Sequence, residues 1–391
     1  MTSGLAERVV EAALPRLRAD DTTTINSQVA FATIPAPTGG EEARASALTS
    51  RLRELGLAVE RDDVGNVTAR VGTATDAPVV VCAHLDTVFP ANTPLVPHWS
   101  GDRVSCPGIG DNARGLAVLL AVARYLAEHR VHTTRPILLA ATVGEEGLGD
   151  LRGARHLFTH AGADAHAAIA VDGPGDDRIV TEAIGVHRLQ LRMAGPGGHS
   201  WTAFDAPNPL HAITRFAARV AELPVRRTPR SSLTITRLCC GEAVNAVPTD
   251  ATVDVEVRSV DAHVVRTAIR AIEHEAHRAL ADENARRGPG QPALTLAVAT
   301  TSERPAGSIA IDHPLVRHCA AATRAIGRRS AFAMASTDAN IPMHLGIPAV
   351  ALGGGGLGGD AHTRLEWFEN TDAPLGVARV LATILATAGV A

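Results

Sequence analysis

The sequence predicts an α/β fold: a mostly parallel sheet flanked by helices, interrupted by an inserted α+β domain. Three observations carry this. Short apolar runs alternate with helical periodicity up to residue 182. Between about 183 and 297, strand-like runs, one of them strictly alternating, surround two longer helical patterns. After about residue 298 the first pattern returns. The expected division is 1–182 with 298–391 as one domain and 183–297 as the insert. A length of 391 residues exceeds the usual single core, which agrees with two domains.

The N-terminal stretch carries Glu7, Arg8 and Glu11 inside its apolar pattern, so it reads as an amphipathic helix rather than a signal peptide. Thr38 and Glu41 match the T-x-x-E capping box, with helical spacing running on through Leu48, Leu52 and Leu55 to Gly56. Short strands are expected near 57–61 and 66–71. VVVCAHLDTV follows: an apolar run of the buried-strand kind that passes into His84 and Asp86. Residues two apart on a strand share a face, so these two side chains point together. A loop or hairpin covers 93–107, and GIGDNARG opens a helix from about Ala113 to His129. The strand 137–143 ends at GEEGLG, and a helix near 153–160 leads to AAIAVDG, ending at Asp172.

In the insert, strands are expected at 184–193, 232–238 and 250–258, and helices near 207–222 and 261–286. The Gly/Pro-rich 283–293 reads as a turn. Beyond it come a helix from His313, a strand near Ile347 to Leu352, and a last helix from about Ala373.

Composition excludes several chemistries. All 37 basic residues are Arg, so a Schiff-base lysine, a pyridoxal-phosphate enzyme and a Walker phosphate loop are ruled out. A net charge of −4 and 3% aromatics offer no nucleic-acid surface. The five Cys include no C-x-x-C, which points to a reducing, cytoplasmic compartment rather than a disulfide framework. Arg124 interrupts the longest apolar run, 115–127, short of the roughly 20 residues of a membrane span.

What remains is a set of polar residues at element ends. Taken singly, Asp111 reads as a helix cap, Glu145 and Glu146 as solvated loop acids, Asp172 as a turn residue, and His362 as part of a flexible glycine-rich loop. Taken together they supply imidazoles and carboxylates where open α/β sheets place ligand sites. Such a set suits two zinc-like ions bridged by a carboxylate, with a shared water as nucleophile. A spare Glu is then available to take the water's proton.

The motifs CAHLDTV, GIGDNARG, GEEGLG, AVDG, GPGGHSW, VNAVP and DAHTRLEWF stand in that order over residues 82–368. In this the chain resembles the cocatalytic zinc metallopeptidases and amidohydrolases: glutamate carboxypeptidase, tripeptide aminopeptidase, aminoacylase and succinyl-diaminopimelate desuccinylase. The resemblance implies a zinc-peptidase-like catalytic domain with a lid and dimerisation insert, acting as a homodimer. It implies His84 and Asp172 on one ion, Glu146 and His362 on the other, and Asp111 bridging both, with a cis peptide to Asn112. Asp86 would orient His84, and Glu145 would be the general base. His199 would stabilise the oxyanion from the partner subunit, while Asn245 and Arg258 would touch substrate. The ions would be Zn2+, with Co2+ or Mn2+ able to replace it. The implied reaction is cleavage of a peptide or N-acyl bond in a small amino-acid-like substrate, in the manner of a tripeptide aminopeptidase. An N-acyl-amino-acid deacylase, a carboxypeptidase and a non-peptide aromatic amide hydrolase are the alternatives within the family. A two-metal phosphoesterase and a non-catalytic binding protein are the rivals outside it.

Overall fold

The computed structural model describes residues 2–390. They form two compact units, one running to Ala183 and resuming at Ser308, the other Ile184–Gly307.

The first unit is built on a mixed, mostly parallel sheet. From one edge its strands are Val59–Arg61, Val67–Val71, Ile137–Thr142, Val79–His84, Ala167–Val171, Ala349–Leu352 and Arg178–Ala183. Val79–His84 runs parallel to both neighbours, as Ala349–Leu352 does to Ala167–Val171. The strands at the Val59 edge are antiparallel. The three central strands are buried along their whole length, and their pleat sorts side chains into two cores. Val79, Val81 and Ala83 join the core under the helices Thr2–Ala19, Ala113–Glu128 and Ala373–Ala388, while Val80 and Cys82 join that under Arg152–Thr159. Ile137, Leu139 and Ala141 divide from Leu138 and Ala140 in the same way. Apolar residues on both faces explain why these strands read as continuous runs rather than alternations. Each large aliphatic side chain so buried contributes about 1.5–3 kcal/mol.

With no Lys in the chain, arginines serve inside this unit. Arg114, fully buried, donates to the carbonyls of Gly354 and Ala373 and lies over the Phe368 ring. Burial pulls its guanidinium down to about 10. This fixes the start of the glycine-rich loop that ends at His362.

The second unit is an antiparallel sheet in the order Ser231–Cys240, Asp250–Ser259, Gly185–Ala194, Thr295–Arg304. Asp250–Ser259 alternates strictly: Val253, Val255 and Val257 face the helices Pro209–Ala221 and Ala262–Asn284, while Asp254, Glu256 and Arg258 face away. Thr295–Arg304 corrects the expected return of the α/β pattern at 298, because it pairs in register with Gly185–Ala194.

A second correction concerns Thr38 and Glu41. The helix begins at Glu42, and neither side chain caps it. Thr38 donates instead to Asp86, and Glu41 accepts from Gly39 N, Gly144 N and Arg152. The expected hairpin near 93–107 is present as His98–Ser100 paired with Arg103–Ser105. Among the described residues, no helix is long and apolar enough to cross a membrane.

Candidate metal centre

The carboxyl ends of the parallel strands converge. Val79–His84 delivers His84, Ile137–Thr142 leads to Glu145 and Glu146, Ala167–Val171 to Asp172, and Ala349–Leu352 to the loop carrying His362. Asp111 stands one residue before the cap of the helix Ala113–Glu128. The cap is Asn112, whose side-chain oxygen accepts from Gly115 N, so the Asp111 carboxylate is left for other work. The Asp111–Asn112 peptide is cis.

Asp111 lies between two imidazoles. Its Oδ1 is 2.9 Å from His84 Nε2 and its Oδ2 is 3.1 Å from His362 Nε2. The same His362 nitrogen is 3.1 Å from Glu146 Oε1. Three triads of donor atoms are each mutually within 4.8 Å: His84–Asp111–Asp172, Asp111–Glu146–His362 and His84–Glu145–Glu146. Two of them share Asp111. His362 takes its place on a left-handed backbone, φ 65°.

The charges of this cluster are out of balance. Four carboxylates face two imidazoles. Hydrogen bonds to Asp111 and Glu146 push His362 up to about 10. Burial would lower His84, yet its contacts with Asp111 and Asp86 carry it well above its ordinary value. Burial, reinforced by the Asp111 charge, pushes Asp172 up to about 7. Protons gather where positive charge is wanted. The donor set, N and O only, matches divalent cations of the zinc, cobalt and manganese type.

Asp86 is fully buried and organises the loop beside it. It accepts Glu145 N and Glu146 N, both at 2.9 Å, and Thr38 Oγ1 at 2.8 Å. His84 Nδ1 meets the Asp86 backbone carbonyl at 3.0 Å, closer than the carboxylate at 3.6 Å. Asp86 thus places Glu145 and Glu146 as directly as it places His84.

Two contributors went unassigned in the sequence. Glu366, buried at the end of HTRLE, accepts Gly108 N, Gly110 N and Asp111 N, all at 2.8 Å. It holds the Asp111 loop, and burial pushes its carboxyl up to about 7. Asp338 accepts the Thr142 hydroxyl at the end of the Glu145 strand. Only the position of Glu366 four residues after His362 could have flagged it, because backbone donors leave no trace in residue identities.

The remaining expected residues lie in the second unit. His199 pairs with Ala246 in a two-residue ladder, and Ser200 N donates to Asn245 O, so His199 and Asn245 are neighbours. Trp201 N donates to His199 Nδ1. Arg258 is held by Glu256 through two contacts, 2.7 and 3.0 Å, and so has its own carboxylate partner.

Residues 80–386 match the family described as peptidase family M20/M25/M40. The succinyl-diaminopimelate desuccinylase of Paracoccus denitrificans is 27% identical over 236 residues, which cover 56% of this chain and 62% of that protein. Among solved structures, aminopeptidase PepT from Bacillus cereus superposes with a TM-score of 0.76 at 21% identity, covering 93% of this chain and 98% of that one. A Bacillus subtilis protein described as a dinuclear metal-binding peptidase of the M20 family gives 0.67 at 16% identity, over 95% and 98% of the two chains. At these identities the structures speak for the fold, and the sequence match speaks for kinship. This chain belongs to the M20/M25/M40 peptidase family.

Proposed function

We propose that this protein is a two-metal hydrolase that cleaves an amide bond, peptide or N-acyl, in a small amino-acid-like substrate. The supporting observation is the Asp111 carboxylate standing between His84 and His362. His84, Asp111 and Asp172 would hold one ion, and Asp111, Glu146 and His362 the other. Zinc is the proposed metal, with cobalt or manganese able to take the same donors. When bound, such a pair polarises a carbonyl and lowers the pKa of a water to near 7.

The chain's own groups do the rest. Glu145, nearly buried and fixed through its backbone by Asp86, takes a proton from the attacking water and passes it to the leaving amine. His199 accepts from Trp201 at Nδ1, so its neutral ring carries the proton on Nε2 and presents a donor. That is the tautomer an oxyanion needs. Asn245, beside it, contacts substrate, and Arg258 joins once it releases Glu256.

The desuccinylase likeness favours a substrate with amino-acid character on at least one side of the amide. A homodimer joined through the second unit, in the reducing cytoplasm, completes the proposal, and the five free cysteines fit that compartment.

Glu145→Ala is expected to keep two metal equivalents by elemental analysis and to lose about 100- to 10,000-fold in kcat. Wild-type turnover in that variant would remove Glu145 as the base. A metal-loaded wild-type protein inert toward dipeptides, tripeptides and N-acyl amino acids would remove the function itself.

A further inference from the structure

Three helices of the first unit, Asp21–Ala32, Glu42–Glu54 and Ala113–Glu128, border a cavity of about 330 Å³. Its wall includes Thr23, Asn26, Arg51, Glu54, Leu120 and Arg124. The place is remote from the metal centre. Ala113–Glu128 starts beside Asp111, and Arg124 stands about 18 Å along that helix from the Asn112 cap.

Two guanidiniums line this space without a counter-ion. Among the described residues, no carboxylate comes within ion-pair distance, 4.0 Å, of Arg51 or Arg124. Arg51 is held in place over the Phe31 ring, 4.6 Å from its centre, and its Nη1 is buried with no hydrogen-bond partner. Burial pulls the Arg51 guanidinium below its ordinary value, against the Glu54 charge and with the help of Arg124. The acids nearby are committed elsewhere. Arg16 takes Asp20 at 3.0 Å and Glu128 at 2.8 Å, and Asn370 donates to Asp21. Glu54 is the one acid on the wall, so the lining keeps a net positive charge. Ser27 spends its hydroxyl on the Thr23 carbonyl, whereas the side chains of Thr23 and Asn26 make no hydrogen bond among the described residues.

A buried N–H without an acceptor is costly, and two like charges across a partly desolvated space repel. One anion between them removes both penalties. The donors come from three helices and so approach from several directions. A planar carboxylate meets such donors on one edge only, whereas a tetrahedral oxyanion presents acceptors all round and suits the guanidinium fork. The cavity is roomier than a free ion requires, and Leu120 gives it an apolar side for an organic remainder.

We propose that this cavity is a second binding site, in which Arg51 and Arg124 clamp a phosphate-type oxyanion, free or as a monoester. The site stands independently of the amidohydrolase reading. Calorimetric titration of metal-loaded protein with inorganic phosphate, at constant ionic strength, should show a saturable site. Arg51→Gln and Arg124→Gln should each weaken it by about 10-fold or more, with metal content unchanged. Glu54→Gln removes the opposing charge and should tighten it by about two- to fivefold. Arg124 is only partly buried, so its variant keeps the test open if loss of the Arg51–Phe31 contact disturbs folding. Phosphate binding indifferent to all three substitutions would place the ion at the metals and overturn the proposal, as would the absence of any saturable binding. Glycerol 1-phosphate, titrated alongside, separates the two sources. Binding tighter than that of phosphate identifies a monoester as the occupant, and equal or weaker binding identifies the free ion.

Discussion

At the scale of single residues, neighbours decide what a carboxylate does. Asp111 escapes the role of helix cap because Asn112 takes it. Thr38 and Glu41 match a capping box by identity, yet Thr38 donates to Asp86, 48 positions away, and Glu41, besides the local Gly39 N, accepts from Gly144 and Arg152, more than 100 away. A four-residue pattern cannot register partners at that range, and this is why the local reading failed there. The titration of His362 yields a testable consequence. In metal-free protein its folded value is about 10 against 6.5 for the free side chain. Below 6.5 both states hold the proton and the stabilisation is whole; above it the unfolded chain sheds the proton first. Stability therefore drains away as pH rises toward 10. Asp172, raised to about 7 from 3.8, acts with the same sign at lower pH. Asp111 and Asp86 are lowered and act the opposite way, but only below about 3.8. The melting temperature of chelator-stripped protein should fall between pH 7 and 10, and zinc should blunt the fall, because the ligands must surrender those protons to bind it. A rise over that range in stripped protein would contradict the argument.

At the scale of elements, the strands and helices near the site were legible because each buried strand is a plain apolar run closed by a polar residue. What the sequence concealed was pairing. Thr295–Arg304 is a strand by pattern, but only its register with Gly185–Ala194 tells which sheet owns it. Likewise Glu366 became visible only once its strand and loop brought it to three backbone donors. The helix Ala113–Glu128 rests on Gly115 for its placement. A β-carbon there would lie 2.3 Å from Asn112 Oδ1 and 2.5 Å from Val171 O. Asn112 also binds Val171 O and Gly173 N, tying the Asp111 side of the site to the Asp172 side. Gly115→Ala should destabilise by about 1–3 kcal/mol and weaken metal retention in a chelator competition. By helix propensity alone the change should stabilise by about 1 kcal/mol, so a stability gain in denaturant would show that the crowding is harmless.

At the scale of the whole molecule, the proposal divides chemistry between two units: base and metal ligands in one, His199 and Asn245 in the other. Mixing Glu145→Ala subunits with His199→Ala subunits tests whether one chain completes another. Recovery of activity, at most about a quarter of wild type from random pairing of equal amounts, is expected if His199 serves a partner subunit. No recovery at any ratio, with both variants shown to exchange subunits, would confine His199 to its own chain. The donors of the proposed metal set are named from motif order, and the structure brings His84, Asp111 and Asp172 together, and Asp111, Glu146 and His362. Where the second unit closes could not be read in that way, since its last strand carries no chemistry of its own.

His362 sits in a backbone conformation that costs a residue bearing a β-carbon about 1–2 kcal/mol relative to glycine. Six of the nine residues before it, 353–361, are glycine, and a further glycine would suit the corner better. The imidazole is thus retained against the grain of its own peptide chain. Selection for heat resistance alone would favour glycine at that corner, and on the proposed reading the sturdier variant would lack one metal ligand.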